Sequence, residues 1–282
     1  MRPRRKSQLM HEFLLGPSLL FCPGDRPERF SKAEQRADSV IIDLEDAVAP
    51  VQKAAARAAL VASSLDPAQT VVRINPAGSP DFVADCDAVN RTRYRTVMLA
   101  KVESPYDVQQ VVAQIDGCSV IALCETAAGV VNAVDIARER GVLGLMWGAE
   151  DLVASLGGTS SRDEAGGYRA VAMHARSQVL LAAGAAGIGS IDAVYVAIGD
   201  LAGLANEADD AAASGFSAKA CIHPSQADVV RRAYAPSDVD AEYARELLQE
   251  AESQGGVFQF RGRMIDEPIL RHARRMVERV EK

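Results

Sequence analysis

Eight short runs of apolar, largely β-branched or aliphatic residues recur along this chain, each separated from the next by a stretch of helical character. They fall at residues 18–22, 39–44, 70–75, 96–102, 120–125, 143–147, 193–197 and 219–223. Little polar alternation interrupts them, which is the pattern of parallel strands buried on both faces. Alanine-rich stretches such as 53–61 and 174–183 lie between them. Regular alternation of strand and helix predicts a parallel α/β fold, and a count of eight predicts a closed (β/α)₈ TIM barrel rather than an open sheet. A length of 282 residues suits one such barrel, which needs about 250. The expected organisation is a frayed N-terminus over 1–17, the barrel over 18–235 and a C-terminal extension over 236–282. In that extension, 240–252 and 267–282 read as helices flanking a short extended piece, FQFRG.

Composition narrows the classes of function. Hydrophobic residues make up 48% and charged residues 24%, the balance of a soluble globular chain. Lysine and arginine number 31 against 38 aspartates and glutamates, a net charge of −7 that does not invite nucleic acid or anionic lipid. No run approaches the roughly 18 apolar residues of a membrane span. The first residues, MRPRRKSQLMHEFLLGP, lack the longer apolar core and cleavage site of a signal peptide. Cys22, Cys86, Cys118, Cys124 and Cys221 are odd in number and scattered, which points to free thiols in a reducing cytosol rather than a disulfide framework. None of the four histidines pairs at zinc-ligand spacing. The glycine-rich segment GAAGIGS at 184–190 follows a helix and precedes a strand, the reverse of a dinucleotide fingerprint, and reads as a helix C-cap and turn.

Barrel enzymes place their chemistry at the C-terminal ends of the strands. Asp43, Glu45 and Asp46 follow the second run and Arg73 lies near the end of the third. Lys101 and Glu103 follow the fourth, Glu125 ends the fifth, Glu150 and Asp151 follow the sixth, and His223 ends the eighth. Carboxylates converging on one rim repel unless a positive charge lies between them, and a hard divalent cation held by a few carboxylates and water meets that need. Glu125 and Asp151, on consecutive strand ends, are the candidate magnesium ligands; the bland alternative is a solvated rim on which Asp151 caps a helix. Arg73, in the otherwise apolar VVRIN, is either a bidentate clamp for a substrate carboxylate or an internal partner of Glu45, Asp46 or Glu103. Asp43, Glu45 and Asp46, followed by Lys53 and Arg57, form either a charge-balanced helix entrance or a shell around metal-bound water, with Glu45, Asp46 and Lys53 in that role.

Taken in order, LLFCPGDRPERFSKA, ADSVIIDLEDAVAP with Lys53 and Arg57 following, VVRIN, VMLAKVES, ALCETAAGV, GLMWGAEDLVASLGG, KACIHPSQ and GRMIDEP resemble the citrate lyase beta-subunit-like family of acyl-CoA lyases, in its free-standing actinobacterial form. The resemblance runs through residues 18–270. It implies a (β/α)₈ barrel assembled as a homotrimer, with Mg²⁺ on Glu125 and Asp151, and Arg73 and Glu125 contacting substrate. It implies that Asp266, in the MID segment, is a catalytic acid/base delivered to a neighbouring subunit's active site; by composition alone Asp266 reads as a helix N-cap. Arg26, in PGDR, is expected near the phosphates of coenzyme A. Two positions depart from the family pattern: Gly16-Pro17-Ser18 stands where relatives carry Arg-Ser, and Leu99-Ala100-Lys101 where many carry Leu-Pro-Lys.

The implied reaction is Mg²⁺-dependent, reversible Claisen-type cleavage of a 3-hydroxyacyl-CoA of malyl-CoA, citramalyl-CoA or 3-hydroxy-3-methylglutaryl-CoA type, giving acetyl-CoA or a homologue and a carbonyl acid. Two alternatives stay open. One is the beta subunit of a citrate lyase complex acting on a carrier-protein thioester. The other is a barrel enzyme acting on a phosphorylated three-carbon acid, against which the last run, ending in CIHPSQ rather than a glycine-rich loop, weighs.

Overall fold

The computed structural model describes residues 13–280. Eight parallel strands close in sequence order: β1 (Ser18–Pro23), β2 (Ser39–Asp43), β3 (Thr70–Ile74), β4 (Thr96–Leu99), β5 (Ser119–Cys124), β6 (Val142–Trp147), β7 (Gly189–Asp192) and β8 (Ala218–Cys221), with β8 hydrogen-bonded back to β1. Around them run α1 (Phe30–Glu34), α2 (Lys53–Ala62), α3 (Phe82–Asn90), α4 (Pro105–Gln114), α5 (Ala127–Val131), α6 (Ala133–Ala137), α7 (Ala149–Ser155), α8 (Ala170–Ala186), α9 (Leu201–Ser214) and α10 (Pro224–Tyr234). The predicted (β/α)₈ barrel is the fold observed. Leu19, Ile41, Val71, Met98, Ile121 and Leu123 belong to the cluster that fills its interior, so the barrel is a packed core and not a pore.

Local chemistry explains where the helices begin and end. Ser104 and Asp107 form a capping box at the start of α4, satisfying amide protons that the first turn would leave without partners. At the other end of a helix, Gly187 closes α8 in the left-handed region (φ 73°), where only a residue without Cβ is unstrained. The segment 184–190 is therefore a C-cap as expected, but it runs straight into β7.

Two sequence expectations need correction. The seventh strand is not the apolar 193–197 but Gly189–Asp192, immediately before it. Apolar content was a poor guide there: Val196 and Ile198 are 48% and 44% exposed, whereas Asp192 is wholly buried. Trp147 Nε1 donates to Asp192 Oδ1 (2.7 Å), Arg176 Nε donates to the same oxygen (2.9 Å), and Lys219 Nζ donates to Oδ2 (2.9 Å). Three donors make an aspartate tenable inside a barrel wall. The second correction concerns the N-terminus. Residues 1–12 of the expected frayed segment lie outside the described residues, while in 13–17 Leu14 is exposed and its neighbours pack. Leu15 is buried and Phe13 packs on the interior cluster at the N-terminal end of the strands. The Phe13 ring lies where a Cβ on Gly189 would be only 2.3 Å away.

The chain divides into two compact units, Met1–Val230 and Arg231–Lys282. Within the second, α11 (Asp238–Ser253) and α12 (Glu267–Val280) pack through Ala244, Leu247, Leu270 and Ala273, with Ile265 buried between. An antiparallel pair, β9 (Phe258–Phe260) and β10 (Arg263–Ile265), joins them. No helix among the described residues is long and apolar enough to cross a membrane.

Candidate active site

The end of β2 is shaped by its own carboxylate. Asp43 Oδ1 accepts the amide proton of Glu45 (2.8 Å) and Oδ2 that of Ala47 (3.1 Å), turning the chain so that Glu45 folds back, only 3% exposed. Lys53, at the start of α2, donates to the carbonyls of Leu44 (2.8 Å) and Glu45 (2.9 Å) and to Asn75 Oδ1 (2.8 Å). All three ammonium protons are thereby engaged in fixing this turn.

Arg73 reaches the same turn from β3, where Asp43 and Arg73 are register partners. Its Nε and Nη2 donate to the two oxygens of Asp43 (2.8 and 2.5 Å), and Nη1 lies 3.1 Å from Glu45 Oε2. The guanidinium also stands 4.8 Å over the ring of Phe21. Burial alone would weaken its hold on the proton, but the bonds to Asp43 and the charge of Glu45 more than reverse this. Of the three partners considered from sequence, Glu45 is realised, while Glu103 is exposed. The principal partner, Asp43, was not among them. Its signal was nevertheless present: an acid and an arginine at matching ends of consecutive parallel runs are brought side by side.

Glu125, just beyond β5, is 3% exposed. Burial, reinforced by the negative charge of Asp151, pushes its carboxyl up to about 8. Asp151 lies in the first turn of α7 and is far more open, with 37% of its side chain exposed. Between β6 and α7, Gly148 passes so close to Glu125 that an added Cβ would sit 2.8 Å from Oε2 and 2.9 Å from the glutamate Cβ. Lys101, just beyond β4, places its ammonium 3.0 Å from Asp46 and 3.5 Å from Asp151, and also contacts Glu45.

These groups surround a cavity of about 190 Å³ at the C-terminal rim, lined by Phe21, Asp43, Arg73, Glu125, Asp151 and Ile222 among others. Asp43, Glu45, Asp46, Glu125 and Asp151 bring five carboxyl groups to the rim against two cations, Arg73 and Lys101. The surplus of acid suits one divalent cation. Among the described residues no three His, Cys, Asp or Glu side chains are grouped so as to hold a metal ion; magnesium is held by one or two carboxylates plus water and substrate oxygens.

Other predicted residues have partners of their own. Arg26 is largely exposed, its guanidinium 3.9 Å from Asp25. Arg57 pairs with Asp81 and Asp85 (2.9 and 3.0 Å). His223 is bonded to Ser225 (2.8 Å). Asp266, in the second unit, immediately precedes α12, and its Oδ1 accepts a long bond from the amide of Ile269 (3.4 Å), as an N-cap does.

A closed barrel with acids, an arginine and a small cavity at the strand ends is the arrangement of a barrel enzyme, and comparison with known proteins gives it a family. The HpcH/HpaI aldolase/citrate lyase family matches residues 17–224. A citrate lyase subunit beta-like protein of Mycobacterium tuberculosis is 53% identical over 264 residues, covering 94% of this chain and 95% of that one. Human mitochondrial citramalyl-CoA lyase is 30% identical over 297 residues, covering 95% of this chain and 86% of its own. The crystal structure of M. tuberculosis CitE in complex with magnesium, acetoacetate and coenzyme A matches with a TM-score of 0.90 at 52% identity, over 95% of this chain and 99% of that one. The chain belongs to the HpcH/HpaI aldolase/citrate lyase family, on its citrate lyase beta-like branch, and is an enzyme of the lyase class.

Proposed function

We propose that this protein is a magnesium-dependent carbon–carbon lyase that cleaves a 3-hydroxyacyl-CoA bearing a carboxylate, of malyl-CoA, citramalyl-CoA or 3-hydroxy-3-methylglutaryl-CoA type, to acetyl-CoA or a homologue and a carbonyl acid. The observation that carries this reading is the rim cavity itself, where two carboxylates, Glu125 and Asp151, meet Arg73 amid a surplus of acid. The magnesium, acetoacetate and coenzyme A bound by the M. tuberculosis relative support the cofactor and the thioester class.

Glu125 and Asp151 would hold the metal, with Glu45 and Asp46 accepting hydrogen bonds from its waters and Lys53 fixing the turn that carries them. When bound, the metal supplies Lewis-acid stabilisation to the oxygen that is hydroxyl in the substrate and carbonyl in the product. Arg73, anchored by Asp43 through one edge, keeps its remaining N–H groups for the substrate carboxylate, fixing the scissile bond. Asp266, brought by the second unit of a neighbouring chain in a homotrimer, would as a carboxylate take the substrate's hydroxyl proton as the carbon–carbon bond breaks and the carbonyl forms, and return that proton to the thioester enolate carbon, the two transfers reversing in the condensation direction. Arg26 is assigned to the phosphates of coenzyme A. Five cysteines that are all free and buried favour a cytosolic setting.

The test is a panel of CoA thioesters with magnesium, scored for release of acetyl-CoA, with chelator as the control. Turnover of one carboxylated 3-hydroxyacyl-CoA, abolished by chelator, is expected. Activity that persists in chelator would remove the metal from the reaction, and turnover only of a carrier-protein thioester would move the chain to a citrate lyase complex.

A further inference from the structure

Lys101 has a backbone conformation that nothing in its sequence asks for. Its φ is +51°, in the left-handed region that a residue with a Cβ occupies at a cost of roughly 1 kcal/mol or more. Such a conformation persists only where the surroundings hold it. Here the Lys101 amide donates to Glu125 Oε1 (3.2 Å). The same turn sends the side chain back across the rim, to 3.0 Å from Asp46 Oδ2, 3.5 Å from Asp151 Oδ1 and 4.0 Å from Glu125 Oε1, with Glu45 Oε1 also in contact. One ammonium thus faces four carboxylates. Arg73 overlaps with it only at Glu45, its other ion pair being with Asp43.

We propose that Lys101 is the built-in counter-cation of this rim: its ammonium holds Glu45, Asp46, Glu125 and Asp151 together whenever no metal ion is bound, and opposes the ion once it is. The inference rests on Glu125 and Asp151 being the metal ligands. It gives Lys101 a positioning role with two linked consequences. Without it, the metal-free rim should be less stable, because carboxylates a few ångströms apart repel. Without it, the ion should also bind more tightly, because unit charges at such distances shift a binding constant by about tenfold or more. The residue therefore trades affinity for a site that stays assembled when empty.

The experiment compares the full-length parent with Lys101→Met and Lys101→Arg. Magnesium affinity is measured by titration calorimetry, with no substrate present, and Tm is measured in chelator and in saturating magnesium. For Lys101→Met the expected results are a lower Tm in chelator, a larger rise on adding magnesium, and a Kd tighter by about tenfold. Lys101→Arg keeps the charge and should stay near the parent in both. A Lys101→Met protein with the parent's Kd and the parent's Tm in chelator would overturn the proposal, as would one that fails to fold even in saturating magnesium, since the ion then cannot take over the charge. If the parent itself binds no magnesium, the metal assignment fails instead, and the Tm in chelator still tests the counter-cation.

Discussion

At the scale of single residues, the site is a problem of crowding, both of charge and of volume. Gly148 illustrates volume. Its backbone is extended (φ −131°), so alanine meets no conformational penalty there, yet a Cβ would strike Glu125. Gly148→Ala should therefore fold with a stability loss of about 1–3 kcal/mol from overpacking, and lose about 10–100-fold in kcat/KM, because sub-ångström to ångström displacements of a reacting group carry costs of that size. Unchanged kinetics would mean that Glu125 need not be held so closely. Arg73 illustrates charge. Lysine in its place keeps the charge but cannot bridge both oxygens of Asp43 and still reach a substrate, so Arg73→Lys should lose about 2–4 kcal/mol of transition-state stabilisation. A parental kcat/KM for that variant would reduce Arg73 to an internal ion-pair partner.

At the scale of elements, β7 and β8 are joined by a buried network of charges. Asp192 and Lys219 meet inside the wall, with Arg176 from α8 and Glu207 from α9 completing the network (Lys219 to Glu207, 2.9 Å). Burial opposes ionisation of Asp192, but the charges of Lys219 and Arg176 prevail and hold its carboxyl below the usual carboxylate range. A depressed folded-state pKa means that the stabilisation is present above about pH 4, where the unfolded aspartate also ionises, and is lost as pH falls through the folded value. Asp192→Asn should cost about 3 kcal/mol at pH 7, the low end for a broken buried pair, since it takes one carboxylate from each of two buried cations while leaving Lys219 with Glu207 and Arg176 with Asp210. In denaturant titrations the gap to the parent should shrink as the buffer is acidified below pH 4; a constant gap would contradict the ionic account. This network also marks the limit of what the sequence discloses. Seven strands announced themselves within a few residues because continuous apolar runs have one cheap solution in a barrel wall. β7 did not, because its stability comes from charges supplied by residues 16 to 27 positions away. The rim acids were legible by position alone, since strand ends converge in any barrel. The roles of Asp43 and Lys101 were not: the first depends on register, the second on a left-handed turn that lysine gives no hint of.

At the scale of the whole molecule, the proposed contribution of Asp266 makes activity a property of the assembly. Asp266→Asn should fold normally, since asparagine caps a helix about as well as aspartate, yet lose nearly all turnover. Refolded together with Glu125→Gln, it should regain part of the activity, because a site with an intact Glu125 can then receive an intact Asp266 from another chain. No recovery after proven subunit exchange would place Asp266 in its own barrel, and full activity of the single variant would leave it a cap. The packed interior has a kinetic corollary. With Phe13 and Leu15 against one end of the strands and the aliphatic cluster between, the rim cavity is a cul-de-sac: what enters first leaves last. On the proposed function, the carboxylated fragment, held at Arg73, would wait for the thioester fragment to clear the mouth. Departure is then sequential, with the carbonyl acid competing directly against fresh substrate for the emptied enzyme and the thioester product inhibiting in a mixed manner.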